Sequence, residues 1–321
     1  MNLNKYFFST LLGILLCVFS YTTLPAAENT GEANRLSDAK KIGRLESPAL
    51  RECSGMDAST RRGDLLWAVN DGENGPYLYA MGLEGQDRGR VRVAGAKNRD
   101  WEALDAFRWK GDSYLLIADV GDNKARYDTV TLYVVREPEL NADQFDAAAV
   151  VDISWRIDFH YPDGPRDAEA VAVDVRTATV LIVSKRDARP RVYTLPLKPP
   201  DTIAPITAAK VGKIDHLPAP GINDLVHAYG AFRSQPTALD MSPDGTRAVL
   251  LTYKHAYLFH LVIGDGWGRT LMQNGEVIFL PLPEASEKLR QREAVCFGAD
   301  GRTLFVTSEG VGAGIYSVEI R

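Results

Sequence analysis

This 321-residue chain lacks the motifs by which most enzyme families are recognised. It contains no G-x-S-x-G nucleophile elbow, no Walker phosphate-binding loop, no C-x-x-C and no H-E-x-x-H zinc motif. Its five histidines show no ligand spacing, so a Ser-His-Asp triad has no support. Helical patterns are scarce, and a formal charge of −5 argues against a nucleic-acid partner.

Cysteine is scarce too, and the N-terminus explains one of the three residues. Lys5 precedes an apolar run from Tyr6 to Tyr21, which contains Cys17 and is followed by Leu-Pro-Ala-Ala at 24–27. This pattern is typical of a secretory signal peptide over residues 1–27, with a retained membrane anchor as the alternative. We expect residues 28–38 to be a polar, flexible leader, and the protein to be periplasmic or secreted without stable membrane insertion.

The two remaining cysteines are Cys53 and Cys296. Export permits a disulfide between them if the first and last parts of the fold lie side by side. Two buried free thiols are equally compatible with the sequence.

A six-residue motif recurs along the chain. Its clearest copies are Arg-Asp-Trp-Glu-Ala-Leu at 99–104, Arg-Asp-Ala-Glu-Ala-Val at 166–171 and Arg-Gln-Arg-Glu-Ala-Val at 290–295. Weaker copies span 51–56 and 233–239, the second with one extra residue. One position, called the key position below, carries a side-chain oxygen in every copy: Ser54, Glu102, Glu169, Thr237 and Glu293.

After each copy of the motif come an alternating segment, an apolar segment and a segment centred on an aromatic residue, and a fourth segment usually follows. This pattern predicts four short strands per repeat. The fifth copy lacks a fourth strand, but the segment 39–45 resembles the fourth strand at 209–214. An N-terminal strand that completes the last sheet closes a ring of sheets without long exposed edges. We therefore predict an all-β fold, a five-bladed β-propeller over residues 39–321. Six blades are the alternative, although residues 217–235 are too short for another blade.

In a propeller the first strands line the channel, and the second strands return to the same face. The key residues and the ends of the second strands therefore share one face. Those ends carry charged residues 16 or 17 positions after each key residue: Asp71, Asp119, Lys185, Lys254 and Glu309.

Three glutamates converging on one axis repel one another by about 4 kcal/mol per pair at about 4 Å and an effective dielectric of about 20. They must bind protons or a cation. A ring of oxygen donors without nitrogen or sulfur suits Ca²⁺, so the five key residues are predicted calcium ligands. The alternative is a hydrated polar channel lining.

Basic residues surround the same face. Lys185, Arg186 and Lys254 follow the second strands. An arginine precedes the first strand in every copy of the motif: Arg51, Arg99, Arg166, Arg233 and Arg290. Arginine suits phosphate or carboxylate ligands, and ion pairs between blades are the alternative. Asp71 and Asp119 begin acidic loops and are candidate general bases, with plain turns as the alternative.

This combination of five blades with a serine, glutamate, glutamate, hydroxyl and glutamate ring resembles the calcium-activated nucleotidase (apyrase) family. The resemblance implies calcium ligands at the five key positions, an acidic residue at Asp71 and a basic pair at Lys185 and Arg186. Thr237 replaces the family's usual serine. The chain also resembles bacterial propellers of the phytase-like or esterase-like type.

Both resemblances imply a calcium-bearing propeller. The resulting hypothesis is an exported calcium-dependent hydrolase acting on a phosphorylated or other anionic small molecule, with Asp71, Asp119, Lys185 and Arg186 as catalytic residues. The first alternative is a non-catalytic periplasmic propeller that binds a protein or ligand at the channel mouth. A lactonase-like hydrolase is the second.

Overall fold

The computed structural model describes residues 39–140, 143–200, 204–226, 230–280 and 291–320. The proposed signal peptide, the proposed leader and Arg290 lie outside the described residues. Within the described ranges, no helix has both the length and the apolar character needed to cross a bilayer.

Strands dominate the fold, and most fall into sets of four. The first set is β2 (Cys53–Ala58), β3 (Leu65–Asn70), β4 (Tyr77–Gly82) and β5 (Asp87–Ala94). The second is β6 (Trp101–Trp109), β7 (Asp112–Asp119), β8 (Val130–Arg136) and β9 (Val150–His160). The third is β10 (Ala168–Asp174), β11 (Thr179–Ser184), β12 (Arg191–Pro196) and β14 (Ala209–Lys213).

The fourth set is β15 (Pro236–Met241), β16 (Arg247–Thr252), β17 (His255–His260) and β18 (Glu276–Phe279). The last contains β19 (Arg292–Phe297), β20 (Thr303–Ser308) and β21 (Gly314–Glu319). Its fourth member is the N-terminal strand β1 (Lys40–Arg44), which pairs antiparallel with β21. The predicted N-terminal closing strand is therefore present.

Each set is an antiparallel meander. Two sets are also joined at their outer strands, where β5 pairs parallel with the start of β9. A two-residue strand, β13 (Ile206–Thr207), pairs parallel with the end of β9.

The first strands pack side by side in a closed cycle, in the order β2, β6, β10, β15, β19 and back to β2. Five apolar clusters fill the interfaces, and each lies between two neighbouring sets. Because a sheet is stable only when its apolar faces are covered, each set depends on both neighbours. This cyclic arrangement is a β-propeller, as the sequence predicted.

The short helices lie between the sets and at the end of β17. The segment 217–235 contains α1 (Ile222–Leu225) and the 3₁₀ turn Gly230–Phe232, and its described residues before 235 contain no strand. Another short helix, α2 (Gly266–Thr270), follows β17.

Both cysteines of the propeller are free thiols. Cys53 and Cys296 are fully buried in the apolar cluster between the first and last sets. Burial raises the pKa of both thiols, since it disfavours the thiolate. Of the two alternatives that the sequence allowed, the structure has the buried thiols.

Candidate metal centre

Each key residue is the second residue of the first strand in its set, and all five side chains are buried. In every set the pairing with the second strand changes register at this residue, which marks a β-bulge. A bulge leaves one residue unpaired and re-aims its side chain. The repeated bulge therefore explains how the same position presents an oxygen-bearing side chain in all five sets.

The two hydroxyl members of the ring connect neighbouring sets. Ser54 Oγ donates to the carbonyl of Trp101 at 2.6 Å, and Thr237 Oγ1 donates to the carbonyl of Arg292 at 2.7 Å. In both cases the acceptor precedes the key residue of the next set. These hydroxyls thus stabilise the ring directly.

Thr237→Val should lower the free energy of unfolding by about 1 kcal/mol, because it removes a buried hydrogen bond to the Arg292 carbonyl. Urea unfolding in chelator measures this loss without any contribution from a metal. Thr179→Val is the control, since that hydroxyl bonds only Thr177 within its own set and is exposed. We expect less than about 0.5 kcal/mol for the control; equal losses in both variants would contradict an inter-set role.

Three buried carboxylates converge where β6 and β10 begin. One oxygen from each of Glu102, Asp167 and Glu169 lies within 4.8 Å of the others. Burial, followed by the charge of Glu169, raises the pKa of Glu102 well above its usual value. Glu169 Oε2 is buried and has no hydrogen-bond partner. Such a group needs a proton or a cation, and hard oxygen ligands fit Ca²⁺.

A second acidic group shares Glu102. Asp71, Asp100 and Glu102 also place one oxygen each within 4.8 Å of one another. Burial, together with a hydrogen bond to Asp100, raises the pKa of Asp71 to about 7. Asp119 does not join this group; its Oδ1 accepts the N–H of Asp100 at 2.9 Å and holds that residue in place.

Lys185 lies inside the acidic cluster and is only 3% exposed. Its ammonium contacts Glu169 Oε1, donates to Tyr253 Oη at 2.7 Å and lies 3.6 Å from Glu293 Oε1. Burial disfavours its charge, but the carboxylates outweigh burial and raise the pKa of Lys185. A substrate outside the channel therefore has little access to this ammonium.

Glu293 is the most fully satisfied glutamate of the ring. It accepts hydrogen bonds from Tyr253 at 2.8 Å and from Gln291 at 3.1 Å. Burial opposes its ionisation, but Lys185 is near enough to lower the pKa of Glu293. Burial and a hydrogen bond to Glu293 raise the pKa of Glu309 to about 10, so Glu309 is the protonated partner.

Most of the basic residues proposed as anion ligands are paired with carboxylates. The contacts are Arg166 with Asp163 at 2.9 Å and Asp187 at 3.2 Å, Arg186 with Asp167 at 2.7 Å, and Arg233 and Lys254 with Asp224 at 3.2 and 3.0 Å. Arg99 stacks over Tyr127 and donates to backbone carbonyls, and the exposed Arg51 donates to the carbonyl of Pro48. These contacts therefore favour the alternative, in which the basic residues form ion pairs, over an open site for an anion.

Sequence reasoning overlooked four residues of this centre. Asp100 and Asp167 occupy the same place in two copies of the motif, two positions before the key glutamate, and this repetition was the available signal. Gln291 occupies the same motif position before Glu293 but is not acidic, and Tyr253 lies outside the motif.

A third acidic group lies three residues further along the first strands. Asp57, Asp105 and Asp240 are buried and place oxygens within 4.8 Å of one another. Each accepts a backbone N–H from the first strand of the next set, the donors being Ala106, Val173 and Phe297 respectively. They also line a partly open cavity of about 230 Å³. Sequence reasoning overlooked this column, because Ala172 and Cys296 interrupt it.

No known protein family and no curated protein matches the chain. Among solved structures it is similar to Kuenenia stuttgartiensis hydrazine synthase, with 9% identity and a TM-score of 0.43 over 80% of this chain and 68% of that one. A Myceliophteria thermophila Cps50 (Swd1) β-propeller domain has 13% identity and a TM-score of 0.41, covering 88% of this chain and 100% of that domain. A chain of a nidogen/laminin complex has 10% identity and a TM-score of 0.42, with 81% and 73% covered. Similarity this low gives no information on function, so the function has to be inferred from the site residues.

Proposed function

We propose that this protein is an exported, five-bladed propeller that binds Ca²⁺ on its channel axis and hydrolyses a small molecule there. Each set of four strands is one blade, and β1 closes the fifth. The convergence of Glu102, Asp167 and Glu169, with Glu169 Oε2 left without a partner, carries the proposal. Export rests on the sequence of residues 1–27.

The proposed ligands are all oxygen donors. Glu102, Asp167 and Glu169 form the core of the set, and Ser54, Thr237 and Glu293 complete the ring. The hydroxyls of Ser54 and Thr237 keep lone pairs after donating to backbone carbonyls. When bound, the cation would polarise a substrate oxygen and lower the pKa of a coordinated water.

The residues beside this centre supply the rest of the proposed chemistry. Asp71 is partly exposed and lies next to Asp100 and Glu102, so it is placed to accept a proton at the edge of the cluster. Asp119 is a positioning residue, because it holds the backbone of Asp100. Lys185 and Arg186 act on the carboxylates that they contact, and Arg51 is exposed enough to meet an anionic group.

The substrate class follows from the charges around the centre. A phosphorylated or other anionic small molecule would bind chiefly through the cation, since most nearby basic residues already pair with carboxylates. The same pairing favours a second candidate, hydrolysis of a neutral ester or lactone. It also fits a non-catalytic propeller that binds a protein or ligand at the channel mouth.

Asp71→Asn should lower kcat at least 100-fold, because general-base catalysis typically contributes that much. The substrates to screen are nucleotides, sugar phosphates, phytate and lactones, each with calcium chloride and with chelator. Asp128→Asn is the control, an exposed aspartate in a loop of the same face. Absence of calcium-dependent turnover across the panel would reject the hydrolase and leave the binding propeller.

A further inference from the structure

The position of Lys185 is unusual for a residue at the end of a second strand. By strand register the equivalent position in the next set belongs to Tyr253. Lys254 follows one residue later, and its ammonium bonds Asp224 at the rim. Lys185 instead points inward, where its side chain is 2% exposed, and it contacts two ring glutamates. The blade geometry alone therefore does not require a cation at this place.

Tyr253 fixes the ammonium between the two glutamates. Its hydroxyl accepts from Lys185 Nζ and donates to Glu293 Oε1 at 2.8 Å. The lysine contacts Glu169 through Oε1, whereas Oε2 of the same carboxylate has no partner. Glu169 thus contacts the Lys185 ammonium through one oxygen, and its other oxygen is left for the acidic group that it forms with Glu102 and Asp167.

We propose that Lys185 is an internal counter-cation that sets the strength of the axial cation site. This inference rests on the proposed function, because it describes the same site. Lys185 offsets part of the negative charge of Glu169 and Glu293 when no metal is bound, so the propeller folds without one. The same charge repels a bound divalent cation and withdraws one oxygen of Glu169 from it. Lys185 is a positioning residue here and contacts no substrate.

Calcium titration calorimetry at pH 8 tests this role, starting from chelator-treated protein. Lys185→Met should bind Ca²⁺ at least tenfold more tightly than the wild type, and its thermal midpoint in chelator should fall. Because the single change leaves two glutamates without their cation, the double variant Lys185→Met/Glu293→Gln restores the net buried charge of the wild type. Glu293 is itself a proposed ligand, so the double variant is compared with Glu293→Gln, over which it should bind Ca²⁺ at least tenfold more tightly. Lys210→Met is the control; that lysine lies on the fourth strand of the same set, β14, and bonds Asp163.

The outcomes separate this inference from the proposed function. Tighter binding in Lys185→Met than in the wild type, and in the double variant than in Glu293→Gln, supports the inference if Lys210→Met is unchanged. Differences of less than twofold in both comparisons overturn it while leaving the calcium site in place. Binding only in the Lys185 variants supports the inference but overturns calcium binding by the wild type. No binding in any variant overturns both.

Discussion

The thermal unfolding midpoint of the protein should be about 5–10 °C higher with Ca²⁺ than with chelator, and Glu102→Gln should remove most of that difference. A ligand at a hundredfold excess over its Kd stabilises a fold by about 2.7 kcal/mol. For a domain of this size each kcal/mol is worth roughly 2–4 °C. Glu102 belongs to both acidic groups at the key positions, so losing its charge weakens every arrangement of ligands there. Thermal scans of the four samples give the result.

Glu276→Gln is the matched control, because it makes the same change on an exposed residue of the outer strand β18. Its midpoint should rise in calcium by as much as that of the wild type. An equal rise in Glu102→Gln would show that calcium acts elsewhere. A wild-type midpoint that does not respond to calcium would contradict the metal centre and the calcium-dependent hydrolase together.

Asp105→Asn should stabilise the protein at pH 8 by up to about 4 kcal/mol and should leave its stability almost unchanged near pH 3. Burial raises the pKa of Asp105 from 3.8 to about 7, although the N–H of Val173 bonds its carboxylate. Between these values the folded state holds a proton that the unfolded state has released. Stability therefore falls as pH rises through this interval, by about 1.4 kcal/mol per pH unit at most. Asparagine keeps an acceptor for Val173 and has no such proton.

Urea unfolding at several pH values, in chelator, measures the difference between the two proteins. The gain from Asp105→Asn should grow from about pH 4 and level off above pH 7. Asp152→Asn changes an exposed aspartate on β9 and should give no such trend. A gain that does not depend on pH would show that folding leaves the pKa of Asp105 unchanged.

The propeller was predictable because its repeat is local. Strands such as Leu65–Asn70 and Thr303–Ser308 are short apolar runs bounded by turn residues, and the six-residue motif marks where each set begins. The similarity of residues 39–45 to a fourth strand identified the closing partner of β21. Each of these signals depends on side-chain periodicity along a few residues, which the order of residues displays directly.

The candidate site was only partly predictable. The key column located Glu102, Glu169 and Glu293 at one buried position, because the same bulge recurs in every set. Asp167 completes the acidic group with Glu102 and Glu169, and Tyr253 anchors Lys185, but neither assignment follows from a single copy of the motif. Both depend on which set lies next to which across the channel.

The order of residues thus determined the β-propeller, its closing N-terminal strand and the column of oxygen-bearing side chains. Tertiary structure alone decided which carboxylates meet, and that Lys185 points to Glu169 whereas Lys254 points to Asp224. It also decided that most proposed anion ligands are paired with carboxylates. The physical reason is that ionisation and pairing in a buried cluster depend on distances of a few ångströms between different sets, which only the closed ring establishes.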